Sequence, residues 1–312
     1  MSLIGEASEV QRAQELVAAR EEALPPVPHK RPMSDVWRAG GLHLLLAFVG
    51  VLVALPFVWM VLTSLKSLPE TEYENWLPSS PQWRNYVDVF DWDNPDPNRR
   101  GVKLHVFFRN SLFVASWVTF LTVLTSSFAA FSFARLQWKG RDKVFLMYLA
   151  TMMLPGLIMS IPNYQIMITL GLVDTLPGLI VPAAFSAFGT FLLRQFMLGI
   201  PRSLDEAAEI DGAGTWRLLW DIILPLCRPG LITLTIFTFM GTFNSFFWPL
   251  VMIKSEEKYP HTVGLLFFDS SRGTSTHLLM AAVTLSVIPL IAIFVLGQKQ
   301  LVRGIQLGAV KG

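Results

Sequence analysis

An all-α integral membrane fold with six transmembrane helices is what this sequence predicts, and three observations carry the prediction. The chain has 312 residues, of which 52% are hydrophobic and only 15% charged, whereas a soluble domain carries about a quarter charged residues. Six apolar stretches are each long enough, at ~1.5 Å of rise per residue, to cross ~30 Å of hydrocarbon. Apart from Arg194, their interiors contain no Asp, Glu, Lys or Arg. The net charge of +2 supplies no basic field for nucleic acid. The single cysteine, Cys227, forms neither an internal disulfide nor a metal site.

Residues 1–40 are polar and end in the proline-rich PPVPHKRP, so they read as a cytoplasmic tail rather than a cleavable signal peptide. The six-helix transmembrane domain takes up 41–312, with spans at about 42–65, 110–133, 145–168, 176–197, 229–252 and 278–298. Lys and Arg in the short connections set the orientation. The 134–144 loop holds Arg135, Lys139, Arg141 and Lys143, the 169–175 turn holds no basic residue, and the C-terminal tail holds Lys299, Arg303 and Lys311. The tail before the first span adds Arg12, Arg20, Lys30, Arg31 and Arg38. Both termini are therefore expected in the cytoplasm. The acidic 66–108 loop, with Glu70, Glu72, Glu74, Asp91, Asp93, Asp96 and the tryptophans 76, 83 and 92, is expected outside.

Two spans are unusual. Pro155 and Pro162 both interrupt the hydrogen-bond ladder of the third, and a broken helix at membrane depth is tolerated where it lines protein or a cavity. The fifth holds Gly241, Asn244, Ser245 and Trp248 within an apolar run. That cluster suits either helix packing or the lining of a pathway.

The segment between the fourth and fifth spans, about 199–225, reads IPRSLDEAAEIDGAGTWRLLWDIILPLCRPG from Ile200. Ser203 and Glu206 have the spacing of a capping box, predicting a helix from about Leu204, with Asp205 and Glu206 at the positive end of its dipole. Gly212 should stop it in a left-handed conformation. A second short helix is expected from Thr215 to Ile223, ending before Pro225. Ala207 and Ala208 are expected to present little bulk, so that a partner surface approaches closely.

Glu206-Ala207-Ala208, then Gly212, Ile222 and Leu224-Pro225, has the spacing of the EAA loop and resembles that of binding-protein-dependent ABC importer permeases. FARLQWKGR (133–141), IPNYQIMITLGLVDTLPGLIVP (161–182), FNSFFWPL (243–250) and RGIQLGAVKG (303–312) resemble the maltose-type carbohydrate uptake group of that family. The resemblance covers about residues 42–312 and implies a type I ABC importer permease fold in the prokaryotic inner membrane. It implies three kinds of protein partner: a second related permease, an ABC ATPase dimer and an extracytoplasmic solute-binding protein. It also implies that Glu206, Ala207, Ala208, Asp211, Gly212, Ile222, Leu224 and Pro225 form an ATPase-coupling loop.

No G-x-x-x-x-G-K-[ST] phosphate loop and no H-E-x-x-H pair occurs. The chain is thus expected to be non-catalytic and to bind no cofactor or metal, leaving ATP and Mg to the partner ATPase. The shortage of intramembrane charge disfavours an ion-coupled carrier and suits a neutral solute. Asn163, Tyr164 and Gln165 in the third span, and Asn244, Phe247 and Trp248 in the fifth, are the candidate pathway residues. The rival readings are a channel or ion-coupled carrier acting without an ATPase, and a membrane scaffold in which the 203–225 loop only connects spans.

Overall fold

The computed structural model describes residues 33–73, 75–90, 103–268 and 275–309, with side chains placed between 40 and 299 within those ranges. Expectations attached to the tail before residue 33, to Glu74, Asp91, Trp92, Asp93, Asp96 and Lys311, and to the side chains of Arg38 and Arg303, fall outside them. Every regular element among the described residues is helical.

The chain divides into two compact units, Met1–Phe57 and Val58–Gly312. Most of helix α1 (Met33–Ser64) belongs to the first. Its side chains from Leu44 to Phe57 are apolar and exposed, as befits a helix solvated by lipid or covered by another membrane protein.

The second unit is organised around α2 (Leu104–Ala134), whose 31 residues make a rod of about 46 Å. It begins six residues before the expected span. After it come α3 (Arg141–Ala150) and α4 (Gly156–Thr169), which with a 3-10 turn form a pair bent by 102°. The bend falls at Leu154 and Pro155, because a residue before proline is driven to extended backbone. Pro162 removes one ladder bond, yet α4 continues through it, so one of the two expected interruptions is a break and the other is not.

The fourth stretch departs most from expectation. It is a single turn at Pro177–Ile180 followed by α5 (Ala187–Leu198), and 12 residues rise only about 18 Å. The carbonyls of Ala183 and Ala184, freed by this break, accept bonds from Thr122 Oγ1 (2.9 Å) and Thr125 Oγ1 (2.6 Å) of α2. Non-helical backbone survives at depth when a neighbouring helix satisfies it in this way. Ser186 then caps α5 by accepting from the Gly189 amide at 3.0 Å. Gly189 must be small, since a Cβ there would sit 2.5 Å from Ser126 Oγ.

Beyond α5 lie α6 (Ser203–Ile210), α7 (Thr215–Leu226), α8 (Arg228–Phe243), α9 (Phe247–Met252) and α10 (Thr276–Ala309). α2 packs along α5 and α8, and α8 packs along α10. Among the described residues three helices, at Gly40–Ser64, Leu104–Ala134 and Thr276–Lys299, are individually long and apolar enough to span, and the number rises to five where each of two bent pairs is counted as one span. The expected fifth span is likewise interrupted, at Asn244–Phe246 between α8 and α9.

Candidate functional site

Helix α6 starts one residue before the position expected from a Ser203 cap. Its cap residue is Arg202, with no side-chain cap, and the amides of Asp205 and Glu206 bond back to the Arg202 carbonyl. The capping box is therefore not made: Ser203 is already the first helical residue. The stop occurs as the sequence predicts. Gly212 has φ +78°, its amide bonds the Glu209 carbonyl, and the Ala213 amide bonds the Ala208 carbonyl at 2.9 Å. These two bonds are a Schellman motif.

Helix α7 does not end before Pro225 but runs through it to Leu226. Its middle, Leu218–Ile223, is wound as a π-helix. A proline ring collides with the carbonyl four residues earlier, here Asp221, and a widened turn accommodates it. This is why the sequence signal for a stop produces a bulge instead.

The α6–α7 loop has two faces. Ala208, Leu218, Leu219, Ile223 and Leu224 are buried in one cluster with Ala130, Phe131 and Ala134 of α2 and Leu193 and Met197 of α5. Ile222 is partly buried against it. Glu206, Ala207, Asp211, Gly212 and Pro225 lie outside and are exposed. Ile210 is 86% exposed and Trp216 is 68% exposed. Ala208 is thus an inward packing residue, and only Ala207 presents the small outer surface expected of both alanines.

Arg135, the residue that caps α2, joins this loop to the helices. Its side chain is 3% exposed. Nη1 donates to Asp205 Oδ2 at 2.8 Å, and Nη2 donates to the carbonyls of Met197 (2.6 Å) and Ile200 (3.0 Å) at the end of α5. A cation placed there also complements the negative end of the α5 dipole. Sequence reasoning counted Arg135 only as an orientation charge and Asp205 only as a dipole partner. The available signal was a basic residue directly after an apolar run. Arg194 nearby donates to the Phe133 carbonyl at 3.2 Å and lies 4.2 Å over the Phe145 ring, so the lone charge in the fourth stretch has partners.

A cavity of about 560 Å³ lies farther along α2, lined by Ser111 of α2, Asn163 and Ser160 of α4, and Thr242, Ser245, Phe247 and Trp248 of the α8–α9 region. None of its described lining residues is charged. Of the six candidates, Asn163, Phe247 and Trp248 therefore line one cavity. Tyr164 instead packs against the cluster that holds Met167 and Met252. Gln165 is exposed outside the lining, and so is Asn244, which ends α8 with its amide on the Met240 carbonyl at 3.1 Å. Consecutive helical residues point ~100° apart, so three adjacent polar residues cannot all face one space. Ser111 and Ser160 were missed because a serine within an apolar run carries no distinctive signal.

The far end of α2 is tied by a different set of bonds. Asn110 Nδ2 donates to the carbonyls of Glu257 (2.8 Å) and Tyr259 (3.1 Å). The amide of His261 donates to Ser111 Oγ at 2.8 Å, and the same hydroxyl lies 2.8 Å from His261 Nδ1. The His261 ring lies 4.3 Å from that of Phe243, and burial pushes its pKa down to about 4. Asp174, at φ +58°, accepts from the Ser255 hydroxyl, the amides of Ser255 and Lys254, and the Lys258 ammonium. Those bonds, led by the Ser255 hydroxyl, hold its carboxyl well below the usual range.

The family model described as "Binding-protein-dependent transport system inner membrane component" matches residues 98–307. The arabinooligosaccharides transport system permease protein AraQ of Halalkalibacterium halodurans is 30% identical over 272 residues, covering 85% of this chain and 94% of that one. The diacetylchitobiose uptake system permease protein NgcG of Streptomyces coelicolor is 29% identical over 271 residues, covering 85% and 87%. Among solved structures, a chain of a bacterial ABC transporter involved in alginate import superimposes with a TM-score of 0.74 at 23% identity, covering 88% of this chain and 99% of that one.

Proposed function

The chain belongs to the family of binding-protein-dependent transport system inner membrane components, and from that premise we propose that it is the permease subunit of an ATP-driven importer for a neutral saccharide. In this reading the bent α3–α4 pair, the interrupted fourth stretch and the interrupted α8–α9 stretch complete a six-segment permease domain, residues 41–312, preceded by a cytoplasmic tail. The α6–α7 loop faces the cytoplasm and docks on an ABC ATPase pair, a second permease completes the pathway, and an extracytoplasmic binding protein delivers the solute. Relatives named for arabinooligosaccharides and diacetylchitobiose support the saccharide class. Another relative is named for sn-glycerol-3-phosphate, but a cavity without a charged lining residue suits a neutral solute better than a phosphate.

The observation that carries the coupling assignment is the two-faced loop. Its inner face is packed on the ends of α2 and α5, while its outer face offers Glu206, Ala207 and exposed Ile210 and Trp216. Closure of the ATPase pair on that outer face would shift the loop and bias the helices between two global arrangements. The cavity residues Asn163, Ser111 and Trp248 would meet the solute through hydrogen bonds and an aromatic face. The chain itself would hydrolyse nothing.

The test is single-cysteine cross-linking along 203–226 in native membranes, with Cys227 replaced by serine. Capture of an ATPase subunit from positions 206, 207 and 210, but not from buried 208 and 219, is the expected result. Labelling of the loop only by impermeant reagents added outside the cell overturns the topology and the function with it.

A further inference from the structure

We propose that Arg135 is the positioning residue that makes the coupling helix α6 and the ends of α2 and α5 move as one body, an inference that rests on the importer reading above. Three elements meet at this one guanidinium. Arg135 is the residue that ends α2, and its guanidinium donates to Asp205 of α6 and to the carbonyls of Met197 and Ile200 at the end of α5. The pair is enclosed: the side chains of Arg135 and Asp205 are 3% and 15% exposed.

The geometry of α6 separates this joint from the docking surface. Asp205 and Ala208 are three residues apart and share one helix face, which is turned inward. Glu206, Ala207 and Ile210 are exposed. A partner pushing on that outer face leaves the joint unobstructed, and displacement of α6 passes through Asp205 to Arg135 and so to two long helices together. Apart from the joint, the α6 residue buried in that cluster is Ala208, whose methyl resists sliding weakly. Arginine is required because its rigid fork reaches three acceptors at fixed angles, whereas a lysine ammonium is a single point on a flexible stem.

The test uses the complete complex, permease pair with ATPase pair and binding protein, in sealed vesicles, with an arabinooligosaccharide and diacetylchitobiose as probes. Arg135→Lys is expected to lower uptake at least tenfold and raise the ATP hydrolysed per solute imported at least fivefold, while the ATPase still co-purifies at the wild-type yield. Asp205→Ala should behave alike, and Asp205→Asn, whose amide oxygen still accepts, should stay within threefold of wild type. Uptake by Arg135→Lys within twofold of wild type overturns the inference. So does loss of ATPase co-purification in step with loss of uptake, because Arg135 would then only shape the docking surface. Should Arg135→Lys not accumulate in the membrane, the comparison of Asp205→Ala with Asp205→Asn replaces it, and equal uptake by the two overturns the inference. A wild-type complex that captures no ATPase overturns the importer reading, a failure distinct from normal coupling in the variants.

Discussion

At one end of α2 a single buried guanidinium holds three elements together; at the other, restraint is spread over many bonds. Arg135 meets one carboxylate and two helix-terminal carbonyls, and the loop it holds keeps its opposite face exposed. Around Asn110, Asp174 and His261 the partners are mostly backbone groups of the 254–261 segment. A segment that must move under a partner's load is well served by one discrete joint. A segment that must stay closed is better served by redundancy, since losing one of several bonds leaves the others in place. On the importer reading, the same helix would carry a movable end at Arg135 and a fixed end at Asn110.

The largest effect should come from the movable end. Gly212→Asp forces a side chain into left-handed backbone at φ +78° and adds charge to the exposed loop face. Uptake in intact cells is expected to fall by about 100-fold or more, at costs of ~1–2 kcal/mol of backbone strain, with membrane levels of the chain within about twofold. Normal uptake would erase the distinction between the ends, because the exposed face would then transmit nothing.

At the fixed end, Asp174→Ala removes the acceptor shared by Ser255, Lys254 and Lys258. Charge-assisted bonds of this kind are worth ~1.5–3 kcal/mol, so thermal unfolding in detergent should show a loss of about 3 kcal/mol while the ATP cost per solute stays at the wild-type value. A raised ATP cost would show that this end also moves under load. Asp174 itself gives no pH dependence near neutrality: its depressed pKa places its contribution above the ordinary carboxylate range, where it is fully present, and the loss comes only in acid.

His261 supplies a milder probe of the same end. Its pKa is pushed from 6.5 to about 4, so the unfolded chain binds a proton that the folded chain refuses. Stability therefore falls as pH drops through the window from about 6.5 to 4, by about 2 kcal/mol between pH 7 and pH 5. His261→Gln should flatten that slope. An unchanged slope would move the acid sensitivity to another group. The smallest effect belongs to the cavity between the two ends: Asn163→Leu should raise the solute KM about fivefold, a cost of ~1 kcal/mol for one lost hydrogen bond, and Asn244→Leu should leave it within twofold. The reverse order would place the pathway on the other side of α8.

Local properties of the sequence carried a good part of this. The membrane class, the first, second and sixth spans, the Pro155 break and the left-handed stop at Gly212 all depend on residues within a turn or two of one another, and hydropathy, proline and glycine act at that range. The spacing of Glu206, Gly212 and Pro225, with the stretches around it, resembles the family that the matching family model and relatives then show. The same local rules misplaced the capping box and the end of α7. At Asp205 a partner 70 residues away competes for the first turn, and at Pro225 a π-turn absorbs the ring.

What only the tertiary structure decided is which polar groups meet. Arg135 and Asp205 lie 70 positions apart, and Ser111 and His261 lie 150 apart. Asn163 shares a cavity with Phe247 and Trp248, while its neighbours Tyr164 and Gln165 turn elsewhere. Hydropathy reports how much of a helix avoids water, but lipid and protein are equally apolar partners. The rotation of each helix about its axis is therefore set by contacts with other helices, and that rotation chooses the joint, the clip and the cavity lining.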